Sequence, residues 1–135
     1  MRRLGLDWGS RAIGVAVSDP TGTIAHPLTV IRSGEKEAVA EIAVLCRQYE
    51  VVEVVVGLPR RMNGTLGSQA QRVQNWAKLL EKALGIPVVL WDERLTSRQA
   101  EQALLEADLG RRRRRQVVDA SAAAHILQSY LDAQA

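Results

Sequence analysis

The chain opens on a period of two. Residues 4–8, Leu-Gly-Leu-Asp-Trp, alternate, and Gly9-Ser10-Arg11 interrupts them. Residues 12–18 resume the alternation, with Ile13, Val15 and Val17 on one face. Asp19-Pro20-Thr21-Gly22 is a turn signal. Residues 27–31 read as a third strand, with Pro27 confined to its start. Connections this short predict antiparallel pairing. The period then lengthens: Val39, Ile42, Ala43 and Cys46 recur at helical spacing within residues 35–48. Residues 51–56 form a β-branched run broken only by Glu53, the pattern of a buried strand. Ser68 with Gln71 predicts a capping box for a helix bearing Val73, Trp76, Ala77 and Leu80, which Gly85 ends. Residues 88–91 give a fifth strand, and Thr96 with Gln99 caps a helix to about Ala107. A last helix is expected over residues 117–131.

This order, β-β-β-α-β-α-β-α-α, predicts an α/β fold. Its sheet is mixed and five-stranded, three antiparallel strands followed by two parallel ones, with helices on both faces and the first strand central. Substrate in such sheets binds at the carboxyl ends of the central strands.

With 135 residues, 47% apolar and 24% charged, the chain suits one domain over 1–135. No apolar run reaches the ~18–20 residues that span a bilayer, so no membrane partner is expected. The opening Met-Arg-Arg-Leu-Gly-Leu-Asp carries an acid where a signal peptide needs an apolar stretch, which points to the cytoplasm. A single cysteine, Cys46, makes neither an internal disulfide nor a multi-cysteine metal site.

Charge changes the picture more than composition does. The net charge is +3, from 18 basic and 15 acidic residues. Five of the basic residues are consecutive: Arg111, Arg112, Arg113, Arg114 and Arg115. Without them the body is slightly negative. A local basic patch of this kind points to an anionic partner. Between two helices, the run reads as a flexible arm that neutralises phosphates, set against the plainer reading of a solvated loop.

Three acids could carry chemistry. Asp7 lies inside an apolar strand, where a charge needs a partner or a metal; an Asx-type bond to the following turn accounts for it equally well. Asp92 and Glu93 leave the fifth strand at its carboxyl end, facing opposite ways, so one of them enters a site there; an ordinary loop pairing with Arg94 is the plainer alternative. Asp119 shares a helical stripe with Ala122, Ala123, Ile126 and Tyr130, or else caps a helix starting at Ala120. Small residues Gly5, Gly14 and Ala16 would let that helix approach the sheet closely. Asp7, Glu93 and Asp119 stand 86 and 26 residues apart, yet all three can converge at one sheet edge. Clustered carboxylates need a cation, and oxygen-only ligands select magnesium or manganese. Such sites clamp a phosphodiester and activate water.

The segment Gly57-Leu-Pro-Arg-Arg-Met-Asn-Gly64 leaves the fourth strand and could touch substrate through Arg60 and Arg61, or be a solvated turn on Asn63-Gly64. His26 and His125 read as structural or surface residues, and Cys46 and Trp76 as core. Trp8 and Trp91 neighbour the acids and are expected to wall the site.

Four blocks of the chain resemble the YqgF (RuvX-like) family of Holliday-junction-resolvase-like or precursor ribosomal RNA nucleases. They are Leu-Asp-Trp-Gly-Ser-Arg-Ala-Ile-Gly-Val-Ala-Val (6–17), Val-Gly-Leu-Pro (56–59) with Met-Asn-Gly (62–64), Asp-Glu-Arg-Leu-Thr-Ser (92–97), and Val-Asp-Ala-Ser-Ala-Ala-Ala (118–124) running on to Leu131. The resemblance implies an RNase H-like fold and a two-metal-ion nuclease using Mg2+ or Mn2+, with Asp7, Glu93 and Asp119 as catalytic ligands and Asp92 ranked below Glu93. It implies nucleic acid as partner, precursor 16S ribosomal RNA before branched DNA. Nothing in the sequence reads clearly as a dimer interface, so a monomer or weak homodimer is expected. A non-catalytic nucleic-acid-binding module with the same fold is the alternative outside the enzymes. The candidate nucleic-acid contacts are Arg11, Arg60, Arg61, Asn63, Arg94 and Arg111, Arg112, Arg113, Arg114 and Arg115. Asn63 stands where many relatives have Asp.

Overall fold

The computed structural model describes residues 1–9, 11–59, 67–92 and 111–134, with positions 111–119 as backbone only. Its elements run β1 (Arg2–Trp8), β2 (Ile13–Ser18), β3 (Ala25–Ile31), α1 (Glu35–Gln48), β4 (Val51–Leu58), α2 (Ser68–Leu84), β5 (Val88–Asp92) and α3 (Arg111–Gln134). The sheet order is β3-β2-β1-β4-β5. β1 is central, antiparallel to β2 and parallel to β4, as expected; β2 and β3 pair antiparallel, and β4 and β5 parallel.

Turn chemistry organises the first half. Adding a β-carbon to Gly9 would place it 2.6 Å from the Ala12 carbonyl oxygen, so the β1–β2 connection closes only around glycine. In the β2–β3 connection the Asp19 carboxylate accepts bonds from the Thr23 and Ile24 amides and the Thr21 hydroxyl. Gly22 supplies the left-handed residue, at φ 72°.

β3 corrects one expectation. It begins at Ala25, so Pro27 lies inside the strand rather than at its start. The sheet tolerates this because β3 is an edge, and because the register slips between Val15↔Thr29 and Ala16↔Pro27.

The sheet separates two apolar layers. Leu4, Leu6 and Trp8 of β1 join Ile13, Val15, Val17, Val54 and Val56 under Ile42 and Cys46 of α1 and Val73, Trp76 and Leu80 of α2. On the opposite face Ala16 and Val55 pack under Ala123, Ala124, Ile126, Leu127, Tyr130 and Leu131 of α3. α1 occupies the expected residues, and the apolar stripe of α2 is buried as expected. The expected capping box is not formed: the N-cap is Gly67, with no side-chain bond to the first turn. Gly85 ends α2 in the left-handed conformation, φ 71°.

β4 is less uniformly buried than its sequence suggests. Val52 is exposed, and Glu53 is half-buried because Arg3, its register partner on β1, donates from Nε to Glu53 Oε1 at 2.7 Å. The Arg3 guanidinium also lies over the Tyr130 ring, 6.0 Å from its centroid. Burial, a bond to Glu53 and the Glu53 charge hold the Tyr130 hydroxyl above its ordinary pKa, against a smaller opposing pull from Arg3.

The largest correction concerns the last helix. It begins at Arg111, not near residue 117, and ends at Gln134. The arginine run is therefore helical backbone, not a flexible arm. Asp119 is the ninth residue of α3, which removes the reading of Asp119 as an N-cap. The helix expected from Thr96 to about Ala107 lies outside the described residues.

Candidate active site

Asp7 is the penultimate residue of β1 and is half-buried. Its partner on β2 is Gly14. One step beyond the Leu6–Val56 pair, Gly57 of β4 comes alongside it. Gly57 in turn pairs with Trp91 of β5. The carboxylate thus stands in a cross-strand row between two glycines, which contribute no side chain to crowd it.

The helix above that row is set by a close approach. A β-carbon on Gly5 would meet Leu127 Cβ at 2.6 Å and the Ala123 carbonyl oxygen at 2.9 Å. Gly5 shares the face of Asp7, two residues earlier. Towards the amino edge of β1, Gln128 Oε1 accepts from the Ala25 amide at 2.9 Å, and Gln128 Nε2 donates to the Thr23 carbonyl at 2.9 Å. Ala25 pairs with Ser18, whose hydroxyl accepts from the Arg3 amide. α3 therefore runs antiparallel to β1. The turn preceding Ala123, which carries position 119, advances towards the carboxyl edge where Asp7 lies. The expected stripe is adjusted in one respect: Ala122 is half-buried, while Ala124 and Leu127 belong to the packed face.

Strand alternation sorts the acidic pair of β5. Val89 and Trp91 pack against the α3 layer, whereas Val88 and Leu90 pack against the α1–α2 layer. Asp92 follows the second set, on the face opposite Asp7. Glu93, Arg94, Arg60, Arg61 and Asn63 lie outside the described residues. Arg11 is exposed, four positions after Asp7. Arg111, Arg112, Arg113, Arg114 and Arg115 occupy the first turns of α3. Among the described residues no three His, Cys, Asp or Glu side chains group to hold a metal; Glu93, and the side chain of Asp119, fall outside that set.

The two tryptophans expected to wall the site differ. Trp8 does not: it is buried in the α1–α2 layer, because its place in β1 is one residue out of phase with Asp7. Trp91 is on the face of Asp7. Its Nε1 donates to Ser129 Oγ at 3.1 Å, and its ring stands edge-on to Tyr130 at 5.2 Å. Cys46 is buried as expected, and burial pushes its thiol up to about 11.

Sequence reasoning missed one cluster at the carboxyl edge. The Arg72 guanidinium of α2 lies over the Trp8 ring, 5.2 Å from its centroid, and its Nη2 is 3.2 Å from Glu35 Oε1 of α1. Trp76 Nε1 donates to the Glu35 carbonyl at 3.0 Å. No sequence signal joins Arg72 to Trp8, 64 positions away.

A family model described as "RuvX: Holliday junction resolvase" matches residues 1–133. The chain belongs to the RuvX family. Two RuvX relatives, from Moorella thermoacetica and Pelotomaculum thermopropionicum, are each 55% identical to it. The first match covers 98% of this chain and 95% of the relative, the second 99% and 88%. Both relatives bear the name "Putative pre-16S rRNA nuclease". The fold is that of Thermus thermophilus RuvC, seen in complex with a Holliday junction substrate. That match has TM-score 0.64 and 18% identity, over 99% of this chain and 95% of that one. The RuvX sheet is thus the mixed five-stranded sheet expected from the strand order, and its fold is the RNase H-like one that the resemblance implies. No described helix is long and apolar enough to cross a membrane.

Proposed function

We propose that this RuvX chain is a nuclease that hydrolyses phosphodiester bonds of structured nucleic acid, with the 5′ end of precursor 16S ribosomal RNA as its substrate. The observation that carries this reading is the end-to-end match to relatives of that name. The carboxyl-edge geometry supports it. Asp7 stands between glycines, and the close packing of α3 on Gly5 directs position 119 towards the same edge.

The residue types fit a divalent cation. Asp7, Glu93 and Asp119 supply only hard oxygen ligands, which suit Mg2+ or Mn2+. Bound there, one or two such ions would stabilise charge developing on the scissile phosphate and promote deprotonation of the attacking water. The chain's own part is positioning. β1 holds the Asp7 carboxylate in a cross-strand row, and α3 is locked to that strand through Gly5. Arg11, Arg60, Arg61, Asn63, Arg94 and the arginine run are the groups to hold phosphate and place the strand to be cut.

The family description favours a second reading, resolution of four-way DNA junctions. Both substrates call for the same chemistry, so the test is a paired assay. A 5′-extended ribosomal RNA precursor and a synthetic four-way junction are offered with Mg2+ or Mn2+ to wild type and to Asp7→Asn. Cutting of the precursor alone, reduced about a thousandfold or more in Asp7→Asn, is the expected result. Cutting of the junction alone selects the second reading. Full activity in Asp7→Asn would sink the site assignment, and binding without cutting of either would leave a non-catalytic module.

A further inference from the structure

We infer that Arg72 is a phosphate-binding residue of the substrate path, on the opposite side of the sheet from the arginine run. This rests on the nuclease reading.

Three elements bring Arg72 to the carboxyl edge. β1 ends there with Trp8. β3 runs in the same direction as β1, so α1 starts at that edge with Glu35. α2 follows the carboxyl end of β4 and returns to the start of β5, so its second turn, which holds Arg72, lies at the same edge. α1 and α2 cover one face of the sheet and α3 the other. Arg72 and Arg111–Arg115 therefore bracket the edge that carries Asp7.

The guanidinium is held but not used up. Trp8 is 4% exposed, a fixed floor for the cation. The guanidinium lies over the ring, 5.2 Å from its centroid, a contact that draws on its charge. Glu35 takes one nitrogen, Nη2. The Arg72 side chain remains 61% exposed, and its ion pair is open to solvent. A surface pair of this kind contributes little to stability. What the two contacts provide is a charged fork with reduced freedom, largely exposed beside the strand end next to Asp7. The group that matches it is a phosphodiester oxygen pair.

Glu35 then acts as a competitor for Arg72, and this separates a binding role from a structural one. Affinity for a fluorescent four-way DNA junction and for a hairpin RNA is measured against salt, in an Asp7→Asn background with magnesium so that the probes stay intact. Adding Arg72→Gln is expected to raise the Kd about five- to tenfold at low salt and to lower the salt slope by about one, whatever the sequence. Arg72→Lys restores the slope. Glu35→Gln lowers the Kd, because it frees the guanidinium. Arg47→Gln removes the same charge from the far end of α1 and leaves the slope unchanged. An unchanged slope in Arg72→Gln, or equal weakening by Arg72→Gln and Glu35→Gln, overturns the inference while leaving the nuclease reading intact. Failure of the Asp7→Asn background to bind either probe overturns both.

Discussion

Gly5 and Leu127 are in contact at the limit of what backbone allows: a β-carbon added to Gly5 would sit 2.6 Å from Leu127 Cβ. The strand that carries Asp7 and the helix that carries Asp119 meet here, with no side chain on the strand between them.

Gly5→Ala follows directly. The new methyl group meets Leu127 and the Ala123 carbonyl, so α3 must shift away from β1. Stability should fall by about 1–3 kcal/mol, the ordinary cost of overpacking. Cleavage should fall further than the unfolded fraction explains, because the displaced helix is the one that bears position 119. Urea melts paired with cleavage rates on the same samples would show this. Equal activity per folded molecule would mean that the α3 contact does not position the site.

Neutralising the arginine run should have two effects of opposite sign. Positive charge at a helix N-terminus opposes the macrodipole and repels itself, so replacing Arg111, Arg112, Arg113, Arg114 and Arg115 with glutamine should raise thermal stability at low salt. The same change should weaken nucleic-acid binding. Five successive helical positions cover every side of the axis, so they cannot all face one phosphate path. The salt slope should therefore fall by about two to three rather than five. Melting curves and salt titrations of one variant test both signs.

Cys46 should make stability fall in alkali. Its thiol titrates at 9.0 in the unfolded chain and at about 11 in the folded one. Between those values the folded state holds the proton that the unfolded state has lost. The contribution is thus fully present below pH 9 and lost as pH rises towards 11, on the order of 2 kcal/mol. The loss should be absent in Cys46→Ala, compared by chemical denaturation across that range.

Asp19 acts at the other end of the scale. Bonds from the Ile24 amide, the Thr21 hydroxyl and the Thr23 amide hold its carboxyl well below the ordinary 3.8. Its contribution to the β2–β3 connection is present above that value and lost as pH falls through the depressed one. The stability difference between wild type and Asp19→Ala should shrink steadily as the solution is acidified below about pH 4. A difference constant down to pH 2 would exclude a role for the carboxylate charge.

Local periodicity made much of the molecule legible. The two-residue alternation placed Gly5 and Asp7 on one face of β1. The helical spacing of Val73, Trp76, Ala77 and Leu80 identified the buried side of α2. The strand order followed from short turns and crossover rules. Asp7 and Asp119 were recognisable as odd residues, acids in apolar patterns. These features were readable because each depends on neighbours within a turn or two of chain.

Register and packing decided the rest. Nothing local says that Glu53 faces Arg3, that Pro27 falls at a slip in the β2–β3 ladder, or that α3 starts as early as Arg111. The first depends on how β1 and β4 align, the second on β3 being an edge, and the third on a run of arginines whose backbone is helical whatever its charge prefers. Trp8 is next to Asp7 in sequence but belongs to the other layer, as adjacency in a strand means opposite faces. Arg72 was invisible for the same physical reason. Its partners Trp8 and Glu35 come from two other elements, and only folding brings the carboxyl end of β1, the start of α1 and the second turn of α2 to one edge.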